Sequence, residues 1–398
     1  MGDAGFPGDA DGEACAVAEL NGRPLMNSHL ESGARVWDQM FAGGAGAGPT
    51  RSIAMRLVRK RGRPWLLVPA EPRLAVRVLE LYPAQSPRAR VLRLVLRGAL
   101  RFGLPFGSKP VSVACAPAGQ FVHFLSGLQP GGDLPDLGIL AGNPATPGQR
   151  FLLLLFDAAG EPAMVVKVGL EARARELIQR ETQVLLAVPG KTNGVPTFRG
   201  RFESPTVCAF ALDFVRGTTP AGEVPGQVAA LLGAWLRRGQ QIRVGQTRAW
   251  AELKGSAAGN PLFRVLAGKM EQRAVCAALI HGDFAPWNIK VQPDGRWIMV
   301  DWERGDLAGL PGWDWLHFVL QPAILVAHDT TRGLLERLER LFVTPEFQSY
   351  SQAGGIAGLE RELALAYLLY HCEVVRPSEG LRQARNLLGA LSSRWLPA

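Results

Sequence analysis

Residues 278–303 read ALIHGDFAPWNIKVQPDGRWIMVDWE, and their most constraining feature is an apolar run, WIMV, that ends directly in Asp301. A carboxylate at the end of a buried strand is costly unless it meets a cation. The turn Pro293-Asp294-Gly295 separates two short strand-like pieces, NIKVQ and RWIMVDW, so this part reads as a hairpin. The loop ahead of it carries His281, Asp283 and Asn288, and the hairpin brings Asp283, Asn288 and Asp301 to one end. The amide oxygen of Asn288 and the carboxylate of Asp301 are hard oxygen donors of the kind Mg²⁺ takes, leaving its other positions to water and phosphate. Asp283 is then free to accept a proton.

Four regions can be read along the chain. Residues 1–50 are rich in Gly, Ala and Asp, lack periodicity and read as an unstructured segment, with Met26 as a second candidate start. Residues 51–137 read as a basic α/β extension. They carry a hairpin (SIAMRLVR, then PWLLVP) and two helical patterns, RLAVRVLELY and RARVLRLVLRGALRF. In the second helix Arg90, Arg93, Arg97 and Arg101 recur at spacings of three and four, which stacks them on one face away from Leu92, Val95, Leu96 and Ala99. Residues 138–216 alternate strand, strand, helix, strand, strand: FLLLLFD and AMVVKVG around the turn AAGEP, then EARARELIQRETQVLLAV, then VPTFRGRFES and VCAFALDFVRG. Residues 217–398 are dominated by helical patterns, interrupted only by the hairpin near 280–302.

HGDFAPWN followed by VDWE resembles the catalytic loop and metal-binding segment of the aminoglycoside phosphotransferase and choline kinase family, the small-molecule branch of the protein-kinase-like fold. The resemblance covers roughly residues 138–390. It implies an α+β, two-lobed fold: a small antiparallel-sheet N-lobe with one helix (138–216) and a mostly helical C-lobe (217–398), preceded here by the N-terminal extension. It also implies ATP and Mg²⁺ as cofactors and a small-molecule hydroxyl as acceptor. By position Asp283 matches the catalytic base, Asn288 and Asp301 the two metal ligands, and Lys167 in VVKV the lysine that holds the nucleotide phosphates. Glu181 in QRETQVLL is the favoured partner of Lys167, with Glu176 second, and the backbone at Asp213, Phe214 and Val215 matches the hinge that meets the adenine. His281 matches a loop-supporting position, and Asp314 reads as a helix-start or loop-bracing carboxylate. Gly282 stands where most protein kinases carry an arginine that reads a regulatory phosphate, which points away from a regulated protein kinase. The segment GILAGNPATPGQR lacks the G-x-G-x-x-G of protein kinases. Trp302, Trp313 and Trp315 read as core, and Glu303 faces either substrate or solvent.

Charge and cysteine usage bound the remaining classes. Residues 51–110 hold fourteen Lys or Arg against Glu71 and Glu80, a net of +12 in a chain of net +9, so the rest is slightly acidic at −3. This local basic segment suits an anionic membrane surface or an acidic partner. It has no evident nucleic-acid reading motif, so no nucleic-acid partner is expected. Residues 217–398 carry nineteen Lys or Arg and seventeen Asp or Glu, which argues for a neutral or anionic acceptor such as a sugar or amino-sugar derivative over a polycation. Cys15, Cys115, Cys208, Cys276 and Cys372 are scattered without metal spacing, as in a reducing compartment. No basic start or sustained apolar run suggests a leader, so the expected location is cytoplasmic, with peripheral membrane contact through the basic segment. Two alternatives stand beside a small-molecule kinase: a nucleotide-binding scaffold without turnover, and a kinase of a membrane-proximal saccharide.

Overall fold

A computed structural model describes residues 37, 39–41, 49–60, 62–82, 87–104, 108–142, 148–190, 192–222, 224–377 and 379–396. Its first half is built on one eight-stranded antiparallel sheet in the order β3-β1-β2-β4-β5-β6-β8-β7. The hairpin β1 (Arg51–Lys60) and β2 (Arg63–Pro69) forms as its sequence suggests, and β3 (Ser108–Cys115) flanks it. β2 then pairs with β4 (Leu137–Ala141) through Leu66↔Leu140 and Leu67↔Ile139. The basic extension therefore continues the sheet formed by β4, β5 (Arg150–Phe156), β6 (Pro162–Gly169), β7 (Phe198–Glu203) and β8 (Cys208–Asp213).

Both faces of the sheet are covered, which is why FLLLLF is continuously apolar instead of alternating. One face packs α3 (Gln120–Gly127) over Met55, Leu67, Leu153 and Val166. The other packs α1 (Pro72–Val78) and α2 (Pro87–Arg101) over Val58, Leu66, Leu140 and Leu154. Leu153 and Leu154, neighbours with opposite faces, are both fully buried. Each such leucine is worth roughly 1.5–3 kcal/mol. Gly138 permits the close packing of α1, because a Cβ there would stand 2.1 Å from the Val78 side chain.

Two expectations need correction here. Trp37, Met40 and Phe41 are buried against this sheet, with Trp37 edge-on to Phe151 at 5.2 Å, so the unstructured segment does not include residues 37 and 39–41. Three large apolar side chains in a polar, glycine-rich run were too few to raise a periodic signal. In α2 the buried side chains are Leu96, Ala99 and Leu100, whereas Val91, Leu92, Leu94 and Val95 face solvent. Spacing identified the arginine face but not which apolar stripe docks.

Helix α4 (Ala172–Ala187) follows β6 and stops before Pro189. Its packed face consists of Ala174, Ile178, Glu181, Thr182, Val184 and Leu185. The second half holds α5 (Pro225–Ala234), β9 (Leu236–Arg243), α6 (Arg248–Ala257), α7 (Pro261–Met270) and β10 (Ala274–Ile280). After the loop at residues 281–288 come the hairpin β11 (Ile289–Val291) and β12 (Trp297–Met299), then β13 (Asp306–Gly309). Helices α8 (Trp313–Leu325), α9 (Thr331–Val343), α10 (Pro345–Gly354), α11 (Glu360–Tyr370) and α12 (Leu381–Trp395) close the core. The three-stranded sheet β13-β10-β9 corrects the expectation that only the hairpin interrupts the helices. β9, LRRGQQIR, is polar because most of its side chains are exposed, which leaves no apolar alternation to read. Trp302, Trp313 and Trp315 are core residues, and Cys115, Cys208, Cys276 and Cys372 are buried free thiols. Cys15 and Met26 lie outside the described residues.

Candidate active site

The site begins with a lysine in a hydrophobic sheet. In the register Leu152↔Lys167↔Phe210, Lys167 lies between two apolar partners on one face of β5, β6 and β8. Its ammonium donates to both Glu181 oxygens at 2.7 and 2.9 Å and to Asp301 Oδ1 at 2.8 Å. Glu181 is fully buried on the packed face of α4 and also accepts from the Trp302 N–H at 2.9 Å. Glu176, the second candidate, pairs on the surface with Arg173. Burial by itself would lower the Lys167 ammonium, but the Asp301 and Glu181 carboxylates outweigh it and hold it above the ordinary lysine range. Burial raises Glu181 against the pull of Lys167, whereas Asp301, despite its own desolvation, is held low by Lys167. Asp301 has φ of +74°, a left-handed conformation that a non-glycine residue adopts at a cost, as functional sites often require.

The loop after β10 is braced from beneath. Asp314, at the start of α8, accepts from the backbone N–H groups of His281 at 2.7 Å and Gly282 at 2.9 Å. Burial nevertheless pushes its carboxyl up to about 6. His281 donates from Nε2 to the Val300 carbonyl at 3.0 Å, and its Nδ1 accepts from the Asp283 N–H at 3.3 Å, tying the loop to the hairpin strand. Burial pushes the imidazole down to about 4. Gly282 has φ of +77°, and a Cβ would stand 2.6 Å from the Arg304 carbonyl oxygen, so no arginine fits there.

Asp283 and Asn288 meet directly. Asn288 Nδ2 donates to the Asp283 carbonyl and to its Oδ2, each at 2.9 Å. The other carboxylate oxygen accepts from His317 Nε2 at 2.9 Å. Burial opposes ionisation of Asp283, but the hydrogen bond and charge of His317, then Arg304, hold its carboxyl well below the usual range. His317 Nδ1 is hydrogen-bonded to the Tyr367 hydroxyl at 2.9 Å. Gln321 Nε2 donates to the Tyr367 oxygen at 3.4 Å and to His371 Nε2 at 2.6 Å, and burial holds His371 down at about 3. Sequence reading missed this buried chain of His317, Tyr367, Gln321 and His371. Its one local signal was His317 standing three residues after Asp314 on an apolar helix. Gln321 follows one turn later on the same helix, whereas Tyr367 and His371 come from α11 and the turn after it, about fifty residues away.

Arg199 pairs with Asp213 at 2.5 and 2.9 Å, and the Phe214 N–H donates to the Ala163 carbonyl at 2.8 Å. The Val215 N–H makes no hydrogen bond among the described residues and lies on the lining of a cavity. Glu303 contacts Arg150 and is not a free solvent carboxylate. Asn288 Oδ1 and Asp301 Oδ2 have no hydrogen-bond partner among the described residues, so two hard oxygen donors are available at the hairpin end. No group of three or more His, Cys, Asp or Glu side chains could enclose a metal among the described residues. Such a donor set fits a Mg²⁺ that keeps water and phosphate in its shell.

No protein-family model matches the chain, and no curated protein does. Among solved structures it is similar to a thermostable mutant of an aminoglycoside phosphotransferase in ternary complex with ADP and hygromycin B, at 15% identity and TM-score 0.45 over 65% of this chain and 95% of that one. It is similar also to choline kinase LicA from Streptococcus pneumoniae, at 14% identity and TM-score 0.40 over 64% and 93%. A third is macrolide 2′-phosphotransferase MphH from Brachybacterium faecium, at 16% identity and TM-score 0.37 over 66% and 95%.

Proposed function

We propose that the chain is a small-molecule phosphotransferase of the protein-kinase-like fold, moving the γ-phosphoryl group of ATP to an acceptor hydroxyl. The observation that supports this best is the convergence of Lys167, Glu181 and Asp301 with the Asp283 and Asn288 pair at one end of the β11–β12 hairpin. In this reading Glu181 fixes the Lys167 ammonium where it can neutralise phosphate oxygens. The unshared Val215 N–H is the donor for the adenine edge, beside Asp213 and Phe214. Asn288 and Asp301 hold Mg²⁺, which when bound neutralises charge on the transferring oxygens. Asp283, ionised and steered by His317, orients the acceptor hydroxyl. Because its carboxylate is a weak base, it takes the proton late, as the new bond forms. Positioning and electrostatics then carry the rate, with no covalent enzyme intermediate.

The test is ADP formation with ATP and Mg²⁺ over a panel of sugars, amino sugars, amino alcohols and antibiotics. One acceptor is expected to drive turnover, and Asp283→Ala and Asp301→Ala each to cut it by about 10²–10⁴-fold. Nucleotide binding without turnover of any acceptor would favour the scaffold reading.

A second reading concerns α2. Val91, Leu94, Val95 and Phe102 are 60%, 66%, 50% and 74% exposed, and they form a stripe beside Arg90, Arg97 and Arg101. Such a face suits peripheral contact with an anionic membrane. No described helix is long and apolar enough to cross one. Sedimentation with phosphatidylserine liposomes should fall as salt rises. Equal recovery with neutral liposomes would remove this reading.

A further inference from the structure

A cavity of about 1300 Å³ lies where α2, the hinge after β8, the end of the catalytic loop, α8 and α9 meet. It is large for a small-molecule pocket, and its lining is amphipathic. Trp287, Trp315, Phe318, Val319 and Leu341 supply an apolar surface. Arg90, Arg93, Lys290 and Arg340 supply cations that have no carboxylate partner among the described residues. The other two cations on the lining are accounted for: Arg216 pairs with Glu161 and Arg337 with Asp329. The single carboxylate among the lining residues, Glu80, lies 3.7 Å from Arg77.

Lys290 and Arg93 make this imbalance specific. Lys290 is half-buried on β11, two residues beyond Asn288. Two cations from distant parts of the chain that line one cavity, neither with an ion-pair partner among the described residues, cost free energy unless an anion from outside completes them. Pro286 and Trp287, three and four residues after Asp283, join this lining to the catalytic loop.

We propose that this cavity, beyond its hinge edge, is the acceptor pocket and that it takes an anionic amphiphile, with its apolar body on Trp287, Phe318 and Val319 and a phosphate or carboxylate at Arg93 and Lys290. Calling the ligand the acceptor rests on the phosphotransferase reading; its binding does not.

The probe is dodecyl phosphate below its micellar concentration, titrated calorimetrically into the full chain. Dodecyltrimethylammonium, inorganic phosphate and ADP with Mg²⁺ are titrated in parallel. The expected result is saturable one-to-one binding of dodecyl phosphate, weaker binding of inorganic phosphate and none of the cationic amphiphile. Arg93→Met and Lys290→Met should each weaken dodecyl phosphate about tenfold. Val319→Trp, which fills the apolar surface, should weaken it while leaving ADP affinity unchanged. Equal binding of the cationic amphiphile, or unchanged affinity in both cation variants, would overturn the proposal. So would complete displacement by ADP: in the reading above the nucleotide shares only the hinge edge of the cavity at Val215, so full competition would place the Arg93 and Lys290 end in the nucleotide site as well. Failure of the phosphotransferase reading looks different: dodecyl phosphate binds as expected, but ADP with Mg²⁺ does not bind at all.

Discussion

Lys167 and Lys290 are both lysines in short strands near the same catalytic loop, and their surroundings are opposite. Lys167 is shared by two carboxylates within 3 Å, one of them fully buried. Lys290 lines a cavity with Arg93 and has no ion-pair partner among the described residues. A cation whose charge is already balanced is held in place, so its role is to be positioned. A cation left unbalanced in a partly buried cavity is a vacancy for a negative charge that the chain does not itself provide. In the proposed reading the first marks where phosphoryl transfer occurs, and the second marks what kind of molecule is accepted.

The largest effect that bears on this contrast is on stability. Lys167→Met strips the counter-charge from buried Glu181 and from Asp301, and should destabilise the fold by roughly 3–5 kcal/mol. Chemical denaturation at pH 7.5 measures it, and a change under 1 kcal/mol would mean that Glu181 takes up a proton at little cost.

Next in size is an acid sensitivity of the loop that carries Asp283. The fold keeps His281 neutral down to about pH 4, whereas the unfolded chain protonates near 6.5. Stability present above pH 6.5 is therefore lost as pH falls through that window, by about 3 kcal/mol in all. His371, held down at about 3, acts in the same direction, and Asp314, pushed up to about 6, offsets part of the loss because the fold takes up its proton before the unfolded chain does. Denaturation midpoints from pH 7.5 to 4.5 should fall, and His281→Gln should flatten the slope. An unchanged slope would place the proton elsewhere.

The smallest effect has the opposite sign. Lys290→Met removes an uncompensated charge and should stabilise the ligand-free protein by about 1 kcal/mol. Melting temperatures of the Lys167→Met and Lys290→Met variants should thus move in opposite directions. If both fall, Lys290 has an intramolecular role and the contrast between the two lysines collapses.

Much of the site was legible in local sequence because its chemistry is written at short range. His281, Asp283, Asn288 and Asp301 fall within one loop and one hairpin, and the apolar run into Asp301 required a cation that VVKV could supply. Glu181 was legible only through the resemblance of QRETQVLL to the family's helix, since a glutamate on a helix reads by itself as solvated. The buried chain behind Asp283 was not, since His317, Tyr367 and His371 come from separate helical segments and each reads alone as an ordinary core residue. Nor was the union of the extension with the main sheet: the pairing of β2 with β4 joins residues about seventy apart, and strand partnership leaves no trace in periodicity.

By itself, then, the sequence determined the elements whose cause is local: the covered strands around Lys167, helix α4 with its stop at Pro189, and the hairpin that ends at Asp301. Tertiary structure alone decided which apolar stripe of α2 docks and which stays in solvent. It alone also brought Arg93 and Lys290 to the lining of one cavity. The physical reason is that backbone and burial preferences act over a few residues, whereas an electrostatic imbalance between two distant segments exists only after folding has brought them together.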